Sequence, residues 1–337
     1  MKELSRIEQF KETLKQYFHK EHKRVRENMA DCVCAMMRCE KINTAEIARA
    51  MHKDNGQSFK TNDMRIYRHL SSSNFQVSDK TWRGYINLLF GMLNESGLQK
   101  RSTIQINVDF TSDRDDFLIL CASIQFQEQS IPVYFSMRKY PKRANMLDQK
   151  KMEIAFFKAL RHLLPDSYYY TIVADRGFAN RRILEILKNL HFGYVVRMID
   201  NFRLEYNGKT CLANELEHKD INTFEAFIPA WEQSVLLVKK IKDDAHWLLL
   251  VSENIVDAGC VYAQRFAIEK MFKNLKSGGF DLEKLLITQY DRFKRMLFMA
   301  CIAYSILVVT GLFIKNKKHP IKKNFSLHLH VLSVFSD

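Results

Sequence analysis

The feature that most restricts the fold is an uncharged run of 19 residues, Met296 to Ile314. A helix of that length spans about 28 Å, close to the thickness of the hydrocarbon core of a membrane. The run must therefore leave water, either in a bilayer or in the interior of a large folded domain. It also contains small and weakly polar residues, including Ser305, Thr310 and Gly311. Composition alone leaves both possibilities open.

A helix is also predicted shortly before this run, from Asp257 to Gly279, because the segment lacks proline, is rich in good helix formers and ends in Ser-Gly-Gly. Four polar side chains at offsets of 0, 3, 7 and 14 residues share one face: Tyr262, Arg265, Glu269 and Lys276. An adjoining stripe is apolar, so the helix is expected to bury one edge and to present a carboxylate among cations. On an isolated helix, intrahelical ion pairs are the simpler explanation.

Two strand ends elsewhere in the chain are acidic. The alternating segment STIQINVDFTSD predicts a strand that ends at Asp109, and YYYTIVADRGF predicts a buried strand that ends at Asp175. Each aspartate alone is typical of a strand-end turn. Three carboxylates brought together by two strand ends and a packed helix can hold two divalent metals about 3.5–4 Å apart, the geometry for in-line phosphoryl chemistry.

With these motifs in this order, the chain resembles the DDE transposases of bacterial insertion sequences, in the subgroup (insertion-sequence-four type) named for a Tyr-(2)-Arg-(3)-Glu-(6)-Lys signature. Tyr262, Arg265, Glu269 and Lys276 match that spacing without a gap. VDFTSD and ADRGF match the two other acidic motifs, and HFGYVVRMID resembles the strand that follows the second one. The resemblance covers residues 102–286.

The resemblance implies a cut-and-paste transposase whose catalytic residues, Asp109, Asp175 and Glu269, hold two Mg²⁺ ions, with Mn²⁺ able to substitute. Tyr262, Arg265 and Lys276 are then expected to bind phosphates near the cleaved DNA end. The implied partners are double-stranded DNA, as terminal inverted repeats and as target, and a second copy of the chain on paired ends. A hairpin intermediate and a cytoplasmic, nucleoid-associated location follow from the same resemblance.

The implied fold is a ribonuclease-H-like mixed α/β sheet with flanking helices, formed by residues 101–200 and 257–314. The pattern predicts the element order β-β-β-α-β-α-β-α, with five strands: Thr103–Phe110, Phe117–Phe126, Ser130–Met137, Tyr168–Ala174 and Gly193–Ile199. In such a protein the uncharged run is a buried core helix, and no membrane is expected. A membrane-anchored basic protein is the alternative, and recovery of the protein in the soluble fraction would count against it.

Residues 201–256 are expected to form a β-rich insertion, with an Asn-Gly hairpin turn at Asn207 and further strands up to Val251. Trp247 matches the position of a family tryptophan that stacks on a base flipped out of the DNA end. A tryptophan that begins a strand is more often part of a core, and Trp231 is the weaker candidate for base stacking.

Residues 1–100 are expected to form an all-helical DNA-binding domain. The net charge of +14 indicates a polyanionic partner, and half of it, +7, lies in residues 1–101. Four cations on short helices are predicted to touch DNA: Arg65, Arg68, Lys80 and Arg83. A helical scaffold with a solvated charged face is the alternative. The seven scattered cysteines have no CxxC pair, which is typical of a reducing compartment, and no usual zinc spacing is present.

A basic loop with an interleaved aromatic residue is predicted after the third strand, with a phosphate-backbone contact expected from Arg138, Lys139, Lys142 and Arg143. The segment from Phe280 to Phe298 is predicted to be helical. The tail, residues 315–337, is basic and then apolar, and its role stays open. Two other functions remain compatible with the sequence: a ribonuclease-H-like DNA nuclease without strand transfer, and a catalytically decayed DNA-binding copy.

Overall fold

The computed structural model describes residues 6–113, 116–140, 146–217, 222–242, 245–252 and 255–316. A ten-stranded sheet runs through the molecule in the order β3-β2-β1-β4-β5-β10-β9-β8-β6-β7. Its strands are β1 (Thr103–Asp113), β2 (Phe117–Phe126), β3 (Gln129–Lys139), β4 (Tyr169–Ala174), β5 (Gly193–Arg197), β6 (Arg203–Tyr206), β7 (Lys209–Leu212), β8 (Thr223–Ile228), β9 (Gln233–Lys242) and β10 (Ala245–Val251).

The first five strands form a mixed half-sheet. β1 pairs antiparallel with β2, and β2 pairs antiparallel with β3, because short connections join them. On the other side β1 pairs parallel with β4, and β4 pairs parallel with β5. Each predicted strand overlaps an observed one, and this large mixed sheet with flanking helices fits a ribonuclease-H-like fold.

The remaining strands extend the same sheet and do not form a separate layer. β10 pairs antiparallel with β5, and β9 and β8 follow as antiparallel neighbours. The predicted hairpin turn joins β6 to β7, with Asn207 at φ 50° and Gly208 at φ 72°. A β-rich segment therefore precedes α9 and α10, as predicted, but it is continuous with the central sheet.

Eleven α-helices lie in the described residues, and the five before β1 make the N-terminal part all-helical. They are α1 (Arg6–Tyr17), α2 (Lys23–Cys39), α3 (Thr44–Asn55), α4 (Phe59–Ser71), α5 (Asp79–Glu95), α6 (Met146–Leu163), α7 (Arg181–Asn189), α8 (Ala213–Glu217), α9 (Ala258–Ala263), α10 (Ala267–Lys276) and α11 (Tyr290–Asn316). One apolar core joins the N-terminal helices to the sheet. In it, Trp82 of α5 contacts Tyr134 and Phe135 of β3 and Phe298 of α11.

Helix α11 contains the uncharged run. By length and composition it could cross a membrane, but 78% of the relevant window is buried inside the protein. The long apolar helix therefore removes its side chains from water against the sheet and the N-terminal helices, in agreement with the core-helix prediction.

Four sequence predictions about local structure are wrong. The strand predicted to end at Asp109 continues to Asp113, with Asp109 opposite Cys121 of β2. The helix expected over Asp257–Gly279 is interrupted by a 3-10 turn, Gln264–Phe266, between α9 and α10. The helix expected from Phe280 onward is replaced by a short 3-10 turn, and α11 begins only at Tyr290. Arg138 and Lys139 belong to β3 and not to the following loop, because they pair with Leu118 and Phe117 of β2.

Candidate active site

Two predicted aspartates lie next to each other on neighbouring interior strands of the sheet, Asp109 within β1 and Asp175 directly after β4. Val108 of β1 is the parallel partner of Ala174 of β4, so Asp109 and Asp175 are the next residues along two neighbouring strands. Oδ1 of Asp109 accepts a hydrogen bond from its neighbour's backbone N–H (2.8 Å). Oδ1 of Asp175 accepts one from Gly177 N (2.6 Å) and thereby caps the 3-10 turn after β4.

Arg265 joins the first aspartate to the helical glutamate. Its Nη1 donates to Oδ2 of Asp109 at 3.1 Å, and its Nη2 donates to Oε1 of Glu269 at 2.7 Å. The guanidinium is buried, with a side chain that is 7% exposed, whereas the side chain of Glu269 is 51% exposed. The 3-10 turn carries Arg265 and directs it inward, so one cation connects carboxylates from the sheet and from α10.

Burial raises the pKa of Asp109 above its ordinary value. The guanidinium of Arg265 and the hydrogen bond from the Phe110 N–H oppose that shift, and the nearby charges of Asp175 and Glu269 add to it. The three carboxylates therefore interact electrostatically, and the single positive charge of Arg265 neutralises only part of their negative charge.

The donor set suits a hard divalent cation, since carboxylate oxygens are the ligands that Mg²⁺ prefers. Among the described residues, no group of three His, Cys, Asp or Glu side chains is already arranged to hold a metal ion. The reason is visible in the geometry, because Asp109 and Glu269 are each directed at Arg265. A cation at these carboxylates would compete with the guanidinium.

An aromatic group lies beside the acidic site. Tyr262 is buried, in a small core with Val195 and other residues, and its ring meets the edge of Trp247 at a centroid distance of 6.2 Å. Burial raises the pKa of the Tyr262 hydroxyl. Tyr262 therefore does not share the exposed face of Glu269, and the straight polar stripe predicted for one helix is divided between core and surface.

Arg197 is a residue of this region that the sequence reasoning missed. Its guanidinium lies 5.0 Å from the ring centroid of the half-buried Trp247, and its Nη2 donates to Asp200 at 3.2 Å. Arg176, directly after Asp175, donates to the same Asp200. The signal was an arginine at the end of the apolar strand YVVR, three residues before an aspartate.

The other predicted phosphate contacts are dispersed. Lys276 is half-buried and lies seven positions after Glu269, about 10 Å along the helix axis. Arg138 and Lys139 end β3 at the same edge of the sheet as the end of β1. Lys142 and Arg143 lie outside the described residues, as does the tail beyond residue 316.

The four cations predicted to touch DNA lie on α4 and α5, and three of them have partners within the chain. Arg65 pairs with Asp31 (2.5 Å), Lys80 with Glu21 (3.2 Å), and Arg83 hydrogen-bonds to His162 (2.7 Å). Arg68 is exposed and has no ion pair in the described part of the chain. Of the cysteines in this region, Cys32 and Cys34 are buried in α2.

The strand order, with Asp109 and Asp175 side by side after the paired residues Val108 and Ala174, fits the ribonuclease-H-like class. A family model described as the transposase DDE domain matches residues 144–306, and this match supports a DDE transposase. The matched region includes Asp175 and Glu269, whereas Asp109 lies before it. No curated protein matches the chain.

Among solved structures, the chain is similar to Marinitoga piezophila Argonaute in complex with a 5′ OH guide RNA, at 12% identity and a TM-score of 0.23. The similarity covers 67% of this chain and 31% of the Argonaute chain. A similarity at that level supports no conclusion about function.

Proposed function

We propose that this protein is a DDE transposase of the Tyr-Arg-Glu-Lys subgroup, which excises and inserts an insertion sequence by phosphodiester hydrolysis and strand transfer through a hairpin intermediate. The observation that carries the proposal is the connection of Asp109 with Glu269 through Arg265, beside Asp175 on the neighbouring strand end. It is supported by the family match, which contains Asp175 and Glu269.

Asp109, Asp175 and Glu269 would hold two Mg²⁺ ions, with Mn²⁺ as a substitute. When bound, such ions would activate a water or a 3′-hydroxyl and stabilise the leaving oxygen. The chain's own contribution is positional: β1 and β4 hold the aspartates side by side, and α10 brings the glutamate to them. Burial and the repulsion of the neighbouring carboxylates raise the pKa of Asp109, and a bound cation would lower it, as the guanidinium of Arg265 does in part.

Arg265 would serve two states of the site. In the free protein it neutralises Asp109 and Glu269. With DNA bound, its planar guanidinium suits a two-point grip on a phosphate, with Lys276 as a further cation and the hydroxyl of Tyr262 as a neutral donor. Trp247 would support a base flipped from the DNA end, on a ring that Arg197 covers in the free protein.

The partners in this proposal are the terminal inverted repeats and the target DNA, bound by a homodimer on paired ends in the cytoplasm. Residues 1–100 would be the DNA-binding domain, and residues 101–200 and 257–314 would form the catalytic core. The excess of positive charge, +14 over the chain, supports a polyanionic partner.

The test uses duplexes made from the DNA that flanks this reading frame, incubated with purified protein and Mg²⁺ and separated on a denaturing gel. Cleavage at a repeat boundary with a hairpin-length product is expected from the wild type and not from Asp175→Asn. Glu185→Gln is the matched control, since this exposed carboxylate on α7 pairs only with Arg181 in the described residues.

The products separate the alternatives. Nicks without any joined DNA would indicate a nuclease without strand transfer. A shifted but uncut duplex would indicate a DNA-binding copy without catalysis. Cleavage that persists in Asp175→Asn would contradict the assignment of the site.

A further inference from the structure

A second concave site lies in the N-terminal helices. It is a cavity of about 750 Å³ between α2 and α4. The cations and imidazoles that line it are His22, Arg24, Arg65, Arg68 and His69. No aspartate or glutamate of the described chain lines it. A cavity of this size with positively charged walls is suited to an anion. None of the acidic residues of the candidate catalytic site lines it.

The arginines of the cavity differ in whether a carboxylate already neutralises their charge. Arg24 and Arg68 are exposed, and neither forms an ion pair within the described residues. Arg65 donates through Nε to Asn28 (2.7 Å) and through Nη2 to Asp31 (2.5 Å). These bonds hold Arg65 in place at the base of the cavity, and the two exposed arginines supply the positive charge that is not neutralised.

His69 adds a neutral polar group. It is 2% exposed, stacks on Phe75 at a centroid distance of 4.6 Å, and its buried Nε2 has no hydrogen-bond partner among the described residues. Burial and the positive charges of Arg65 and Arg295 lower its pKa to about 3. A neutral imidazole can donate one N–H, and a buried polar atom without a partner costs free energy that a ligand oxygen would recover.

We infer that this cavity binds a phosphate group, held by Arg24 and Arg68 with His69 beneath it. A tetrahedral phosphate offers several acceptor oxygens to converging guanidinium and imidazole donors. A backbone phosphate of DNA is the source that the position on the helical part favours, and this part of the inference rests on the proposed function. The other source of the same chemistry is a small phosphate ester.

The DNA arm measures fluorescence anisotropy of a short labelled duplex of unrelated sequence with the full-length protein, in EDTA and over a series of salt concentrations. Arg24→Gln and Arg68→Gln are each expected to weaken binding on the order of tenfold. Each should also reduce the slope of log K against log salt, by at most about 0.9, the value for complete loss of one phosphate contact. Because no cleavage occurs in EDTA, the result does not depend on the acidic residues.

The control in this arm is Arg49→Gln, which removes an exposed arginine of α3 that lies outside the cavity and pairs with Glu46. Its affinity and salt slope are expected to stay close to those of the wild type. An equal loss in all three variants would reflect general charge and would overturn the inference.

The second arm measures the unfolding midpoint in inorganic phosphate and in chloride at equal ionic strength. A rise in phosphate for the wild type that is absent in Arg68→Gln, with unchanged DNA binding, would assign the cavity to a small phosphate ester. Loss in the DNA arm assigns it to the DNA backbone. If neither arm distinguishes the cavity variants from the control, the cavity is not a phosphate site.

Discussion

Replacing Arg265 with lysine tests the connection between Asp109 and Glu269 in the candidate active site. The guanidinium contacts Asp109 and Glu269 with different nitrogen atoms, at 3.1 and 2.7 Å. It also lies 4.7 Å from the ring centroid of Phe266. A lysine keeps the charge but presents it as a single point, so it can satisfy one carboxylate well and not both.

The expected loss follows from the exposure of each carboxylate. Glu269 is 51% exposed, so its pair contributes about 0.3–0.5 kcal/mol, as exposed pairs four residues apart do. The side chain of Asp109 is 23% exposed, and a lost charge-assisted hydrogen bond to it costs about 1.5–3 kcal/mol. Loss of the guanidinium's packing on Phe266 adds to either case. The free energy of unfolding should therefore fall by about 1–3 kcal/mol.

The assay is the thermal midpoint of Arg265→Lys in the absence of divalent metal. At about 2–4 °C for each kcal/mol in chains of 150–250 residues, the expected decrease is about 2–6 °C in this longer chain. Arg181→Lys is the matched control, because Arg181 donates to Glu185 four residues later on an exposed helix. Its midpoint should change by less than about 1 °C. Equal midpoints for both variants would refute the bridging role of Arg265.

Three further predictions have defined outcomes. Glu269→Gln should abolish Mg²⁺-dependent cleavage on the denaturing gel while anisotropy in EDTA still detects DNA binding; retained cleavage would remove Glu269 from the catalytic set. Burial lowers the pKa of His69 from 6.5 to about 3 in the folded protein. Between pH 6.5 and about 3 the imidazole is therefore protonated in the unfolded chain and not in the folded one, so the free energy of unfolding should decrease as the pH falls through this range. His69→Phe should flatten this denaturant-midpoint profile, and an unchanged slope would show that His69 is not responsible. Gly84→Ala should destabilise the fold by about 1–3 kcal/mol, because a Cβ at this position would lie 2.7 Å from the backbone oxygen of Tyr17. Gly91→Ala should be neutral or stabilising, because the nearest atom to its Cβ would be the Tyr17 hydroxyl at 3.3 Å. Urea unfolding measures both variants, and a less stable Gly91→Ala would contradict the prediction.

Much of the fold could be predicted because strands and turns depend on local sequence patterns. Alternating apolar residues placed β1, and the Asn207-Gly208 pair placed the turn between β6 and β7, since both positive φ angles suit these residues. The interruption at Gln264–Phe266 could not be predicted, because the sequence there contains no glycine or proline. The 3-10 turn lies where the side chains of Tyr262 and Arg265 are both buried against the sheet.

The positions of the candidate site residues could be predicted in part, but their ion pairs could not. Asp109 and Asp175 lie side by side because β1 and β4 pair in parallel with Val108 opposite Ala174, a pairing that the predicted order of elements was consistent with. The state of the cations depended on distant partners. Arg83 contacts His162, which is 79 residues away, and Arg65 contacts Asp31, which is 34 residues away. Such pairs left Arg68 as the one cation of the predicted four without an ion pair or hydrogen bond in the described residues.

The sequence by itself determined the strand pattern, the hairpin turn and the order of the acidic motifs, because these depend on the side-chain periodicity of neighbouring residues and on the backbone preferences of turn residues. Only the tertiary structure decided that Arg265 is buried between two carboxylates, that Tyr262 belongs to the core and that α11 is covered by protein. Burial and ion pairing are properties of residues that are far apart in the chain, and their free energies are set only when the sheet and helices have packed.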